Sequence, residues 1–304
     1  MMIYLKLLLT TVFWGGAFIA GRFVSQNVGP FSIAFLRFAI ASAFLLLLTW
    51  KIEGRLVPLK MSQLLPVVLL GLTGVFAYNA MFFKGLQTIE ASRAALIIAT
   101  CPIFITIASA IFFREKINLS KVLGIIISVF GAIIVISRGH PLKMFDRNLG
   151  VGELYIFCCV LSWVAYSLIG KTVMKALSPL VAVSYSAVIG TVALSVPALF
   201  EGLIRNIGHH SALAWLSILY LGIFATVIGF VWYYEGVKRI GPVKSGLFIN
   251  FVPIFAILLA FLILGEEITL SLAIGGVLVF SGVYLTNRSP RARAIQSRSL
   301  LRRF

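Results

Sequence analysis

Charged residues are scarce in this 304-residue chain. Asp, Glu, Lys and Arg make up only 12% of it, whereas hydrophobic residues make up 61%. A soluble domain carries roughly 25% charged residues, so the composition excludes an ordinary water-soluble fold. The charges are also clustered, which leaves long uncharged runs between them. A run of about 20 apolar residues spans a bilayer as a helix, and the sequence therefore predicts an integral membrane protein.

Residues that carry catalysis or hold metals are also few. The three histidines fall in predicted loops and the three cysteines inside predicted spans, without metal-ligand spacing. The sequence contains neither HExxH nor GxSxG, and no His or Asp is expected at mid-span. We therefore predict that the protein is not an enzyme and has no catalytic residue, no metal site and no cofactor.

Carboxylates are equally scarce at mid-span. All nine acidic residues fall in loops or within a turn or two of a predicted span end. Proton-coupled carriers often use a carboxylate buried in the membrane, and none is evident here. Any coupling is expected to use a carboxylate near a span end, or to be replaced by exchange or facilitated passage.

Ten apolar runs, separated by short connections, account for most of the chain. Helices are expected because lipid offers the backbone polar groups no other partner, and the runs lack the alternation of barrel strands. The first run is too long for a cleavable signal peptide and is not followed by a cleavage site. The predicted spans are 3–24, 31–50, 63–83, 91–113, 119–137, 152–170, 179–200, 212–234, 243–264 and 270–286.

Lys and Arg are unevenly distributed between the two sides of these spans. Eighteen lie on the side of the termini, six of them in the tail, and seven lie on the other side. Cytoplasmic loops carry the excess of Lys and Arg, so both termini are predicted to be cytoplasmic, in an inner (plasma) membrane. The net charge of +17 then reflects this bias. We expect the tail to lie near anionic lipid headgroups and expect no nucleic-acid partner.

One segment of the chain is written twice. GLQTIEASRAALIIATCPIF, residues 85–104, recurs as GVKRIGPVKSGLFINFVPIF, residues 236–255, at an offset of 151. Upstream the offset becomes 149, which pairs Trp14 with Trp163. The two-residue slip falls in the loop between the second and third spans of each half, where an insertion is tolerated.

Each copy contains five spans. The predicted halves are 1–137 and 151–287, with a connecting loop at 138–150 and a basic cytoplasmic tail at 288–304. Because five is odd, the second half enters the membrane upside down relative to the first. We therefore predict an all-α integral membrane protein of ten transmembrane helices, arranged as two inverted-topology five-helix repeats around a central cavity.

Several local motifs resemble those of a known family. They are Trp14-Gly15 in the first span, Leu36-Arg37-Phe38 in the second, and the duplicated segment that ends in Pro with a Glu about thirteen residues on. In these features the chain resembles the drug/metabolite transporter superfamily, in its EamA-type branch. The resemblance implies two inverted five-helix halves around a central cavity. It also implies relatives that export amino acids and metabolites or, more distantly, exchange nucleotide sugars and phosphate esters.

The expected function is export of a small amphipathic metabolite, such as an amino acid, by alternating access. One alternative is an exchanger of an anionic or nucleotide-linked metabolite. An alternative of another class is a channel-like protein or a non-transporting membrane scaffold. The expected partners are a small-molecule substrate and membrane lipid.

Aromatic and amide side chains inside the spans are the candidates for the substrate cavity. Apolar walls with a few placed polar groups suit a small amphipathic ligand, although each aromatic side chain alone is also compatible with a lipid-facing or interfacial position. The candidate cavity residues are Trp14, Tyr78, Asn79, Thr100, Trp163, Tyr166 and Asn250.

Two prolines and one arginine complete the candidate residues. Pro102 and Pro253 lie at equivalent places midway along the fourth and ninth spans, where each predicts a kink that is either a hinge or a static packing feature. Arg37 is the one clear charge inside a span, and its counterpart is Ser186. It is interpreted foremost as a lock between helices and alternatively as a counter-charge for an anionic substrate.

Overall fold

The computed structural model describes residues 2–114, 118–139, 150–240 and 248–287. Within these residues there is no strand, and eight helices are long and apolar enough to cross a membrane, accompanied by two shorter apolar helices. The helices are α1 Met2–Val24, α2 Pro30–Glu53, α3 Met61–Leu86, α4 Ala91–Phe113, α5 Leu119–Ile136, α6 Val151–Val173, α7 Pro179–Phe200, α8 Ala212–Gly236 with helix continuing to Ile240, α9 Val252–Leu264 and α10 Leu270–Asn287.

The predicted spans agree with these helices to within three residues at every described end except the C-terminal end of α8. The predicted start of the ninth span lies outside the described residues, as do most of the connecting loop and the basic tail. Large apolar side chains stay exposed on the outer surface, for example Phe200 at 88% and Leu119 at 74%. An apolar exterior of this kind matches lipid rather than water.

Helices α2 and α7 form a long antiparallel contact. The Ser42 and Thr191 hydroxyls lie 3.2 Å apart at its centre, and those of Thr49 and Ser184 lie 2.7 Å apart further along. Ser42 and Thr191 are also counterparts in the repeat, since they are 149 residues apart. The two equivalent helices therefore meet at equivalent residues while running in opposite directions.

Helices α5 and α10 form a second antiparallel contact, made of glycine. A Cβ atom built on Gly131 would lie 2.7 Å from the carbonyl oxygen of Gly275, and one on Gly275 would lie 2.8 Å from that of Gly131. Gly124 and Gly282 meet in the same reciprocal way, at 2.6 and 2.5 Å. Only residues without side chains let two helix backbones approach this closely.

The remaining helices pack in matching pairs. Helix α1 contacts α8 and α9, and α6, its counterpart in the repeat, contacts α3 and α4. Their buried side chains belong to one hydrophobic core that runs through the centre of the bundle. Helices α2, α4 and α7 contribute buried side chains to the same core.

Several helices are irregular at mid-depth. Helix α3 contains a π-helical segment at Gly71–Ala77, and α8 contains one at Tyr220–Ile228, which covers the equivalent residues of the second half. Helix α4 is broken into Ala91–Ile98 and Cys101–Phe113. Such irregular backbone is tolerated within a membrane where it is buried in protein or lines a cavity.

Candidate substrate site

Arg37 lies at the meeting point of α2, α3 and α8. Its side chain is only 9% exposed. The Nε group donates to the Thr226 hydroxyl at 3.1 Å, and Nη1 donates to the Asn79 amide oxygen at 3.0 Å. Both acceptors are neutral, so the guanidinium is hydrogen-bonded at these two nitrogens but its charge is not neutralised by them.

Carbonyl groups of the two π-helical segments orient these two acceptors. The Asn79 amide nitrogen donates to the Val75 carbonyl at 2.8 Å, and the Thr226 hydroxyl donates to the Leu221 carbonyl at 2.8 Å. Each donor is thereby engaged with its own helix, and each oxygen is presented to Arg37. Val75 and Thr226 are repeat counterparts, and both π-helical segments thus contribute to one arginine site.

An aromatic row lies beside this arginine. The ring centroids of Tyr78 and Trp163 are 5.4 Å apart, and those of Trp163 and Tyr166 are 5.2 Å apart. All three side chains are partly buried, and Tyr78 also stacks on Phe82 at 5.9 Å. No described residue accepts a hydrogen bond from the Trp163 indole. The row therefore offers an amphipathic surface within the bundle.

Trp14 belongs to a separate aromatic cluster between α1 and α8. Its indole nitrogen donates to the Ala225 carbonyl at 2.8 Å, and its ring lies 5.7 Å from Phe230 and 5.6 Å from Tyr233. This hydrogen bond ties Trp14 to the π-helical segment of α8. The structure thus places the two equivalent tryptophans in different roles, with Trp14 engaged by backbone.

The predicted proline kinks are helix breaks. Pro102 lies in the first turn of the second segment of α4, immediately after the interruption at Ala99–Thr100. Pro253 lies in the first turn of α9 as described, immediately after Asn250 and Phe251. Proline suits the first turn of a helix because its missing N–H has no intrahelical partner there.

Two polar candidates lie at these breaks. The Thr100 hydroxyl donates to the Ile97 carbonyl at 2.6 Å, and its side chain is 3% exposed. Thr100 therefore satisfies the broken end of its own helix. Asn250 is partly buried at the equivalent break. The structure brings Tyr78, Trp163 and Tyr166 together in one row, gives Trp14 other ring partners, and uses the Asn79 oxygen to hold Arg37.

Sequence reasoning did not select Thr226 or Tyr233. Thr226 is the counterpart of Val75, and Tyr233 is the counterpart of Phe82, so neither pair preserves polarity between the halves. The sequence did contain a signal for Tyr233, because both members of the repeat pair Phe82 and Tyr233 are aromatic. The Arg37 contact with Thr226 joins residues 189 positions apart, and no local pattern marks it.

Two glutamates hold helix N-termini at the end of the bundle opposite Met2, here called the far end. Glu201 accepts hydrogen bonds from the backbone nitrogens of Phe31 and Ser32 at 3.1 and 2.7 Å, and from the Ser32 hydroxyl at 2.9 Å. Glu266 accepts in the same way from Ala91 and Ser92, at 2.6 to 2.9 Å. A carboxylate at a helix N-terminus also complements the helix dipole.

The contacts made by Glu201 and Glu266, here called the far-end clamps, join distant parts of the chain. Glu201 follows α7 and holds the start of α2, while Glu266 follows α9 and holds the start of α4. The repeat counterpart of Glu266 is Glu115, which lies outside the described residues. Among the described residues, two contacts of the same chemistry therefore join neighbouring helices at the far end.

A polytopic helical bundle with polar and aromatic groups in its interior is an architecture found among membrane transport proteins. The model of the EamA-like transporter family matches residues 1–137 and 150–288. The chain belongs to this family, and it is a multi-pass membrane transporter of the EamA type. The two matched segments together cover most of the chain.

Relatives and a solved structure agree with this assignment. The uncharacterized transporter YyaM of Bacillus subtilis is 32% identical and covers 92% of each chain, and an uncharacterized transporter of Archaeoglobus fulgidus is 32% identical, covering 94% of this chain and 98% of its own. A probable terminal-alkyne amino-acid exporter of Streptantibioticus cattleyicolor is 28% identical over 94% of each. A crystal structure at 22% identity superposes with a TM-score of 0.61 over 94% of this chain and 96% of that one, and it shares the fold.

Proposed function

We propose that the protein exports a small amphipathic metabolite, such as an amino acid, by alternating access. The observation that carries this proposal is the antiparallel packing of equivalent helices, α2 with α7 and α5 with α10. It supports two inverted five-helix halves, 1–137 and 151–287, around a central cavity. An inverted pair supplies two conformations of similar energy that open to opposite sides.

The proposed substrate site lies between Arg37 and the row of Tyr78, Trp163 and Tyr166. Apolar rings and a few polar groups at mid-depth suit an amphipathic molecule. The relative from Streptantibioticus cattleyicolor is named as an amino-acid exporter, which supports this substrate class. With both termini in the cytoplasm of an inner membrane, as the charge distribution predicts, the far end faces outward.

Counterflow in proteoliposomes tests the transport mechanism. Vesicles loaded with one amino acid or metabolite at millimolar concentration should accumulate the same labelled compound from outside, transiently and with saturation. Screening a panel of amino acids in this way identifies the substrate. Uptake that neither saturates nor shows counterflow for any permeant compound would favour a channel, and uptake equal to that of empty vesicles would favour a scaffold.

The same assay separates the second transport hypothesis. An exchanger of an anionic or nucleotide-linked metabolite would require a loaded counter-substrate, whereas an exporter would also run without one. This alternative is supported by Arg37, whose charge faces only neutral hydrogen-bond acceptors and could attract an anionic substrate. No catalytic step is part of either proposal.

We also propose that Pro102 and Pro253 are hinges. A helix already broken at Ala99–Thr100 bends there at little cost, because the interrupted hydrogen bonds do not have to be broken again. Pro102→Ala and Pro253→Ala would let each helix run continuously through its break, with a new backbone hydrogen bond across it, and should bias the carrier toward one face while leaving it folded. If both variants show unchanged transport and unchanged cysteine accessibility from each side, the breaks are static packing features.

A further inference from the structure

Among the described residues two arginines are buried, and their surroundings differ. Arg93 is 4% exposed at the far end, where Nη1 donates to the Val135 carbonyl at 2.7 Å and Nη2 lies 3.4 Å from the Glu90 carboxylate. Arg37 is 9% exposed at mid-depth. Among the described residues no carboxylate forms an ion pair with Arg37. The described contacts of its guanidinium are with the neutral side chains of Thr226, Asn79 and Phe38, so no negative charge faces it inside the span, where an unpaired charge is costly.

One nitrogen of Arg37 remains free for a ligand. Nε and Nη1 are occupied by Thr226 and Asn79, and no described residue accepts from Nη2. Within the described part of the chain, the buried side-chain nitrogens and oxygens that lack a partner are those of Arg93, Ser128 and His210. Arg37 Nη2 is not one of them, so it retains accessible surface.

The Arg37 guanidinium is close to the aromatic row. Its hydrogen-bond acceptor Asn79 directly follows Tyr78 in α3, and the Tyr78 ring continues the row to Trp163 and Tyr166. A cation is thus adjacent to an apolar wall, at the depth where the helices are irregular. This combination matches a ligand with an anionic group at one end and an apolar group at the other.

We propose that Arg37 binds the carboxylate of the transported substrate through Nη2, and that the ligand class is a small carboxylic acid with an apolar or aromatic group. This inference rests on the proposed transport function and narrows its substrate class. A guanidinium suits a carboxylate because its donors lie in one plane and remain charged. Thr226 and Asn79, which are both neutral, orient the guanidinium without neutralising its charge.

A lock between helices alone would not require a charge. The repeat counterpart Ser186 is buried on α7 and donates to the Val183 carbonyl within its own helix. The equivalent position therefore packs without a cation. The charge of Arg37 belongs to one half only, and this asymmetry fits a ligand that binds in one orientation.

Charged thiol reagents test the proposal without knowledge of the substrate. In a background with Cys101, Cys158 and Cys159 replaced by alanine, Tyr78→Cys supplies a reporter thiol. Its labelling rates with sulfonatoethyl methanethiosulfonate, an anion, and trimethylammonioethyl methanethiosulfonate, a cation, are compared in proteoliposomes. The anion-to-cation rate ratio should fall on the order of tenfold in Arg37→Gln, since a unit charge acts strongly over short distances at low dielectric. Arg37→Lys should retain the ratio, and Arg93→Gln should leave it unchanged.

A second arm tests the carboxylate itself. With Trp163→Cys as the reporter, 3-phenylpropionate should slow labelling by the neutral reagent methyl methanethiosulfonate at least threefold more than 3-phenylpropanamide does, and Arg37→Gln should remove the difference. Equal protection by the acid and the amide would overturn carboxylate recognition. An unchanged reagent ratio in Arg37→Gln, or a thiol that neither reagent labels, would overturn the accessible cation.

The two proposals fail in different ways. A charge-dependent ratio with no counterflow for any compound would sink the transport function and leave the anion site standing. Saturable counterflow of neutral compounds, together with an unchanged ratio in Arg37→Gln, would sink the anion site and leave transport standing.

Discussion

The contact between α2 and α7 is closed differently at its two ends. At the far end, the Glu201 carboxylate accepts from two backbone amides and one hydroxyl of α2. At the opposite end, called the near end, the Ser178 hydroxyl accepts from the Val181 amide at 3.3 Å and donates to the exposed Glu53 carboxylate at 2.5 Å. A helix begins at each end: α2 at Gly29-Pro30 at the far end, and α7 at Ser178-Pro179 at the near end. The two sequences are similar, but the side chains that hold the two helix starts differ.

This difference indicates which end is held more firmly. Hydrogen bonds to a charged group contribute about 1.5–3 kcal/mol each, whereas a serine cap contributes about 1 kcal/mol. The near end also carries the ion pair of Lys6 with Glu235, at 2.6 Å, whose side chains are about one quarter exposed. The near end also has neutral hydrogen bonds, such as that from the Tyr185 hydroxyl to the Val57 carbonyl at 2.6 Å. Because the far-end bonds go to a carboxylate, we expect the far end to be held more firmly and opening toward the near end to require less.

The largest expected effect comes from removing both far-end clamps. Glu201→Ala combined with Glu266→Ala should increase labelling of Tyr78→Cys by an impermeant thiol reagent from the far side by at least thirtyfold. Thirtyfold corresponds to about 2 kcal/mol, which is the contribution of one hydrogen bond to a charged group and is therefore a lower limit for two clamps. The matched control is Glu267→Ala, an exposed neighbour, which should leave labelling unchanged. Labelling by the double variant at the parent rate would show that these carboxylates do not close the far end.

A smaller effect is expected at the near end of the same contact. Ser178→Ala removes the hydroxyl that caps α7 and should cost about 1 kcal/mol, whereas Glu53→Ala removes only an exposed partner and should cost a few tenths. Thermal unfolding in detergent measures both. A Glu53→Ala loss equal to that of Glu201→Ala would contradict the difference between the two ends.

The smallest effects are expected from the near-end ion pairs. Lys6→Gln breaks a partly exposed pair between α1 and α8 and should change stability or near-side labelling by less than about 1 kcal/mol. Arg239→Gln removes the 63% exposed second partner of Glu235 and should have no measurable effect at moderate salt. High salt should erase the Lys6→Gln effect. A large, salt-independent effect would place a principal gate at this ion pair.

Span positions follow from the sequence because the bilayer imposes a fixed length of apolar helix. The repeat is visible for a similar reason, since glycines such as Gly131 and its counterpart Gly282 occupy places where no side chain fits. Periodicity does not distinguish a kinked helix from a broken one, however. Pro102 was expected within a continuous helix, and it begins a new segment instead.

The site was less accessible to sequence reasoning than the fold. Asn79 was predicted to line the cavity, and the structure commits its oxygen to Arg37. The π-helical turns, which shift the register of α3 and α8, decide which side chains face inward, and they leave no signature in hydropathy. The glutamate clamps join residues about 170 positions apart, and only the folded chain brings them together.

The reciprocal glycine contact between α5 and α10 bears on ancestry. Each glycine offers its own carbonyl to the partner that it touches, so a surface of this kind is self-complementary. One gene product inserted in both orientations would already fit along it, and fusion of two gene copies would then preserve the fit within one polypeptide. Within one polypeptide, the contact leaves no room for a side chain at Gly124 or Gly282, whereas equivalent positions such as Arg37 and Ser186 differ between the two halves. Duplicated genes of this type are therefore expected to acquire new specificities in one copy without losing the shared framework.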